Sequence, residues 1–350
     1  MHKITRTVSI LTIIYLLPFS AFAHHSFFGR FDTEASIQIE GDVTEVIWRN
    51  PHAYISVETK EQNGESVIWE LETGSPTILL RAGIPANSIK TGDHIIVAGY
   101  PPLTNSNEIF ATNILTPAGL ELIMVTNAEP KWPGEKSGDY SYRFQTAGDS
   151  SRPELGLFRI WSHTAVVPFL FPESINRNYD LNNYPMTAAA KAAVERFDPA
   201  TDNPTLNCTP KGMPTIMEQP YPMEIVQAGN NIVFRIEEYD LLRTIHMNQD
   251  SVPVNEPASA LGYSIGHWDE NTLIVTTTHL NWAYFNQSGI PQSEESVLLE
   301  KFTPSADGST LDYELLVTDP VNFTEPVTLS RNWLYIPDEE LLPFDCTVRE

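Results

Sequence analysis

Residues 21–25 read Ala-Phe-Ala-His-His, and a third histidine, His52, follows the dipeptide Asn50-Pro51. Lys3 and Arg6 precede an apolar run from Val8 to Leu17, and Pro18 and Ser20 break that run ahead of Ala21-Phe22-Ala23. This is the pattern of a secretory leader over residues 1–23, since the apolar run is too short to span a bilayer. Cleavage after Ala23 would give His24 a free α-amine beside its own imidazole, with the His25 imidazole adjacent. Such nitrogen donors suit a borderline or soft transition metal, and the affinity order among divalent ions favours copper. His24, His25 and His52 are therefore the candidate metal ligands, with Glu70 or Glu72 as a carboxylate able to orient an imidazole. The plainer reading leaves His24 and His25 in a frayed terminus and gives His52 a hydrogen bond at the start of a strand. The spacing is not a closed Cys/His zinc motif.

A second group lies far along the chain. His246, His267 and His279 fall on separate predicted strands or strand ends, with Arg243 and Glu300 on neighbouring runs. Alternation places His246 with Thr244 and Asn248, on the face opposite Arg243, Ile245 and Met247. A polar inward face would make His246 and His267 acid–base candidates in an enzyme acting on a small organic molecule. Three histidines would alternatively hold zinc with one open position. Against both stands the ordinary case of histidines on the wet face of an antiparallel sheet. No nucleophile elbow, phosphate-binding loop or paired-cysteine motif is present. Trp268, Trp282, Tyr284 and Phe285 follow these turns and would fill the domain or line a ligand site.

The remaining reactive residues are Cys208 and Cys346. In an exported chain an isolated pair is expected to form a disulfide, here tying the C-terminal tail to the start of the second domain. The chain carries 45 acidic against 21 basic residues, a net charge of −24. Such a surface repels phosphate backbones, which excludes nucleic acid as a partner. No later segment approaches membrane-spanning length, so the processed protein is expected to be soluble and periplasmic or secreted. Its expected partner is a metal ion or small molecule; a protein partner has no readable mark.

Elements able to position these residues are mainly strands. Runs at 36–48, 53–59, 66–72, 94–100 and 108–115 alternate apolar and polar positions. Asn63-Gly64 marks a hairpin, and Ser75, Pro76 and Gly83 bracket a short helix. Three strands, a helix and two strands is the order of an OB-type barrel over 24–124. A connector over 125–220 holds one strand-like run at 156–162 and one helix at 187–197 capped by Thr187. About eight further antiparallel strands, 223–227 to 327–336, predict a larger barrel or curved sheet over 221–350, of a size able to hold one small ligand.

His24-His25-Ser26-Phe27, Trp48-Arg49-Asn50-Pro51-His52, Trp69–Pro76 and Lys90-Thr91-Gly92-Asp93 together resemble an uncharacterised bacterial family of exported proteins. The second half, through Met213-Pro214, Pro220-Tyr221-Pro222, Gly266-His267-Trp268-Asp269, Asn271–Val275 and Asp319-Pro320, resembles another uncharacterised exported group. The first resemblance joins the His-His start to the Asn-Pro-His segment. Together they imply export and the two-domain split, without an activity. The sequence thus points to an exported, copper-binding, mainly β protein. The competing readings are a His-dependent enzyme in the second domain and an envelope scaffold.

Overall fold

The computed structural model describes residues 30–61, 63–126, 128–162, 184–198 and 201–346. The expected leader and the pair His24-His25 lie outside them. The chain forms a five-strand barrel followed by a nearly closed nine-strand barrel.

The first barrel comprises β1 (Ile37–Ile47), β2 (Tyr54–Lys60), β3 (Ser66–Glu72), the helix α1 (Pro76–Arg81), β4 (His94–Tyr100) and β5 (Glu108–Leu115). Its sheet runs β3-β2-β1-β4-β5, and parallel pairing of β3 with β5 closes it through Glu70↔Glu108, Leu71↔Ile109 and Glu72↔Phe110. Closure removes the unpaired edges a five-strand sheet would otherwise expose. β1 must bend to pair with both β2 and β4, and Gly41 permits it: a Cβ there would lie 2.3 Å from the Glu58 carbonyl oxygen. Alternate residues such as Val43, Ile55, Val57, Leu71, Val97 and Ile109 fill the interior. Pro76 opens α1 and Gly83, at φ 85°, ends it. Ser75 occupies the cap position, yet its hydroxyl makes no cap hydrogen bond. It turns instead to Asn50. Two short strands, β6 (Glu121–Ile123) and β7 (Lys136–Ser137), extend the sheet beyond β5.

The second barrel takes its first strand, β8 (Ile160–Trp161), from the connector, which also carries α2 (Ala188–Val194). Thr187 caps α2 by accepting from the Ala190 amide. Then follow β9 (Met223–Ala228), β10 (Asn231–Ile236), β11 (Leu241–His246), β12 (Tyr263–Asp269), β13 (Thr272–Thr278), β14 (Val297–Pro304), β15 (Thr310–Thr318) and β16 (Val327–Leu334). Strands neighbour one another in chain order, and Ser162 and Leu334 exchange two backbone hydrogen bonds, 2.9 and 3.0 Å, that join the ends of the ring.

An all-antiparallel ring needs an even number of strands. Nine therefore require an unpaired reversal, and it falls between β11 and β12, which run parallel. The segment 247–262 makes this possible by carrying the chain back to the other end before β12 begins. The turns at Gly229, Asp269–Asn271 and Asp307-Gly308 consequently all lie at one end of the ring.

Side chains pack into the middle of the ring. Arg243, Ser264, Thr277, Glu300 and Tyr313 meet there, all buried. The Arg243 guanidinium forms a two-pronged pair with Glu300 and also donates to Thr277 Oγ1 at 2.8 Å; Tyr313 donates to Glu300 Oε1 at 2.8 Å. Phe234, Phe302, Tyr313 and Trp333 pack around this network. A turn of 3₁₀ helix at Thr215–Glu218 adds Ile216 and Met217 to the same core, held by Arg331, which donates to the carbonyls of Met217 and Gln219.

Breaking the buried pair on one side leaves an uncompensated charge, whereas replacing both partners does not. Arg243→Met is expected to cost about 3–5 kcal/mol in urea unfolding. Arg243→Met combined with Glu300→Leu should recover a large part of that loss.

Candidate functional site

The residues before β2 and after β3 meet at one end of the first barrel. The antiparallel register pairs Tyr54 with Glu72, and Ala53 bonds to Thr73 and Gly74 beyond it, so His52, one residue further out, lies close to Thr73. His52 Nδ1 sits 2.9 Å from the Thr73 carbonyl oxygen and 3.5 Å from Glu72 Oε1. A carbonyl only accepts, so Nδ1 carries the proton and, in the neutral ring, Nε2 keeps its lone pair. Metal-binding histidines are commonly held this way, with one ring nitrogen donating to a carbonyl or carboxylate and the other left for the ion. The His52 side chain is 35% exposed. Of the two carboxylates considered from the sequence, Glu72 is the one beside His52. Glu70 pairs with Ser56, one step further along.

Glu72 is shared. Its other oxygen, Oε2, accepts from Arg30 Nη1 at 2.6 Å, and Arg30 also reaches Glu108 through Nη2 at 3.0 Å and Nε at 3.2 Å. Burial opposes the Arg30 charge, but the attraction of Glu72 and Glu108 outweighs it and holds its pKa above the ordinary value. The Leu103 amide donates to the Arg30 carbonyl at 2.8 Å, and Phe31 is buried against Phe110. The backbone at Arg30 is thus docked beside the carboxylate that flanks His52. Five residues lie between His24 and Arg30, and these six steps give a contour of about 20 Å at most.

Asn50 closes the other side. It is buried, its Oδ1 accepts from Ser75 Oγ at 2.6 Å, and its amide donates to the Asp345 carbonyl at 2.9 Å. Asn50 also pairs as an isolated parallel bridge with Cys346, which forms the disulfide with Cys208. Sequence reading missed Arg30, Glu108 and Asp345 at this site. Arg30 left a signal, as the first cation after the histidine pair, and the expected Cys208–Cys346 disulfide placed the tail without joining it to Asn50.

In the second barrel the expected polar inward face is corrected. Arg243 and Ile245 point into the barrel, buried, because Glu300 neutralises the guanidinium there. His246 lies on the outer face, its ring stacked on Tyr263 at 4.3 Å. His267 is exposed on the same outer side, and its backbone pairs with Ile274. His279, at φ 58°, is bonded through Nδ1 to Thr278 Oγ1 at 2.9 Å. It lines an open groove of about 330 Å³ with Glu294, Glu295 and Ser296. A second groove, about 500 Å³, runs past Ala82, Ile123 and Tyr140. Neither touches His52, His246 or His267. Among the described residues no group of three or more His, Cys, Asp and Glu side chains is placed to hold a metal ion.

One buried cluster is electrostatically unusual. Glu218, Lys211, Glu238 and Arg331 are all buried near the 3₁₀ turn, and Lys211 Nζ pairs with Glu238 Oε1 at 2.7 Å. Burial pushes the Glu218 carboxyl up to about 7 against the pull of Lys211 and Arg331. Burial also lowers the Arg331 guanidinium to about 9. The network anchors the turn that completes the barrel core.

Residues 14–109 match the model of a family of unknown function, DUF6152. That stretch includes His24, His25, Arg30, Asn50, His52, Glu72 and Glu108, but less than half of the chain. No curated protein matches the chain. Among the described residues no helix is long and apolar enough to cross a membrane.

A carboxyl whose folded pKa is raised binds more protons folded than unfolded. Its contribution to stability is full below its unfolded value and is lost as pH rises through about 7. Denaturant midpoints measured across pH 4 to 8 should therefore fall with rising pH through this window. Glu218→Gln is expected to flatten that slope, and an unchanged slope would remove Glu218 as its source.

Proposed function

We propose that the mature chain binds a transition metal ion, most readily copper(II), through the His24 amine and imidazole, the His25 imidazole and His52 Nε2. The observation carrying this reading is the state of the His52 ring, whose Nδ1–H is engaged by the Thr73 carbonyl beside Glu72 while Nε2 is left as a donor atom. Arg30 supports it by docking the chain against the same Glu72, within contour reach of His24. Copper(II) favours tetragonal nitrogen coordination, and an amine–imidazole chelate supplies two of the donors. A bound ion would add Lewis-acid or one-electron chemistry at this end of the barrel.

The same reading makes the protein exported, to the periplasm or outside the cell. The leader-like start supports export, and so does the Cys208–Cys346 disulfide, a bond that persists in oxidising compartments. The second half's likeness to another exported group is part of this reading.

Copper titration of the natively processed protein should give one equivalent bound, with intact mass placing His24 first. One extra residue before His24 blocks the chelating amine while keeping all three imidazoles, and should abolish that stoichiometric binding. Glu72→Gln is expected to weaken the affinity by about 10–100-fold, the usual effect of losing an outer partner of a ligating histidine. Equal affinity with and without the extra residue would sink the proposal.

A further inference from the structure

Residues 339–346 pass along the junction of the two barrels. Glu339 accepts from Arg81 Nε at 2.8 Å, the Leu342 amide donates to Glu237 Oε2 at 2.9 Å, and the Phe344 amide donates to the Asp240 carboxylate. Phe344 is buried between Tyr221 and Tyr239, with ring centroids 5.3 and 5.0 Å away. The tail then reaches Asn50, where the Asp345 carbonyl takes the Asn50 amide hydrogen and Cys346 pairs alongside. One residue later along the first barrel comes Pro51, and then His52. The last described tail residue, Cys346, is fastened covalently to Cys208, on a turn of the connector.

We propose that the tail segment Phe344–Cys346 is a positioning element for the His52 loop, and that the Cys208–Cys346 disulfide locks it in place. Without that covalent tie the described segment beyond Phe344 is held to the first barrel by the isolated Asn50–Cys346 bridge, through the Asn50–Asp345 backbone hydrogen bond. The tie converts these weak contacts into persistent ones, because a tethered partner rebinds at high effective concentration. Asn50 transmits the effect: its backbone is fixed by Asp345 and its side-chain oxygen by Ser75, so the residue leading into the Pro51–His52 step is held at two points. The lock is reversible. A dithiol reductant would take the bond apart, becoming a disulfide itself while Cys208 and Cys346 each gain one electron and one proton as thiols. Both cysteines are only half-buried, so a reductant can approach them.

The part of this proposal that concerns metal affinity rests on the copper reading; the part that concerns the loop does not. The test compares the full processed chain with its Cys208→Ser/Cys346→Ser variant, which carries no thiol to reduce or capture copper. Amide hydrogen exchange is read first without metal. The Asn50 amide should exchange at least tenfold faster in the variant, while buried strand amides such as that of Val57 keep their protection. Copper titration follows, and the dissociation constant should rise tenfold or more. Should the double variant fail to fold, Phe344→Ala, which keeps the disulfide, and the wild-type chain reduced without denaturant replace it in the exchange measurement. Unchanged Asn50 exchange in a folded chain overturns the proposal. Failure of the wild-type chain to bind copper would overturn the functional reading alone, since Asn50 exchange decides the tail's role by itself.

Discussion

The ion pairs made by Arg81 hold the two barrels in one arrangement. Arg81 ends helix α1 of the first barrel, and it reaches Glu237, in the turn after β10, and Glu339, in the tail. Burial disfavours its charge, but the hydrogen bonds and attraction of the two carboxylates outweigh that cost and hold it firmly protonated. Its second Nη nitrogen also donates to the Glu340 carbonyl at 2.7 Å. A planar guanidinium serves several acceptors at once, which a lysine ammonium does less well. Helix α1, the β10–β11 turn and the tail therefore meet at one side chain. The Asn50–Asp345 contact lies further along the same tail, so the surroundings of His52 depend on a charge cluster that contains no part of the His52 loop.

Closure of each sheet explains much of the rest. The first barrel closes through β3 and β5, and that pairing sets Glu108 opposite Glu70, with Glu72 two residues further along β3. Arg30 spans the step between Glu72 and Glu108, pairing with both carboxylates. The ion triad thus follows from barrel register. Because Glu72 ends β3 and Thr73 follows, the same register delivers a carboxylate and a carbonyl to the Nδ1 edge of His52.

The elements of the first barrel were readable because each one repeats a local signal. Alternation fixed the strands, Asn63-Gly64 the hairpin, and Pro76 with Gly83 the limits of the helix. The eight strands from β9 to β16 were readable for the same reason. Pair direction was not, since periodicity carries no information about which way a neighbour runs, and the parallel β11–β12 step depends on the path of 247–262. The face of β11 was misread because Arg243 looks like a solvent residue until Glu300, from β14, is placed opposite it inside the barrel. Ser75 shows the same limit at short range: a cap residue by type, it spends its hydroxyl on Asn50 across the loop. At the candidate site, His52 and Glu72 could be named from sequence. Arg30 joins them only through the closed register, and Asp345 only through the disulfide.

These long-range contacts bear on how a site can survive on a small barrel's rim. Loops at such ends have few buried apolar contacts of their own, and local opening there costs little compared with global unfolding. In this chain the loop before β2 is pinned by three elements distant in sequence: Ser75 at the start of α1, Asp345 in the tail, and the Thr73 carbonyl beyond β3. Each contact is a single hydrogen bond, and a typical one contributes about 0.5–1.5 kcal/mol. Their effect on His52 comes from being simultaneous, since the backbone of Asn50 cannot move without breaking at least two of them. The second barrel's role follows from this. It supplies the surface along which the tail is led, through Asp240 and the Tyr221–Phe344–Tyr239 stack, to the one carbonyl that the first barrel's histidine loop lacks.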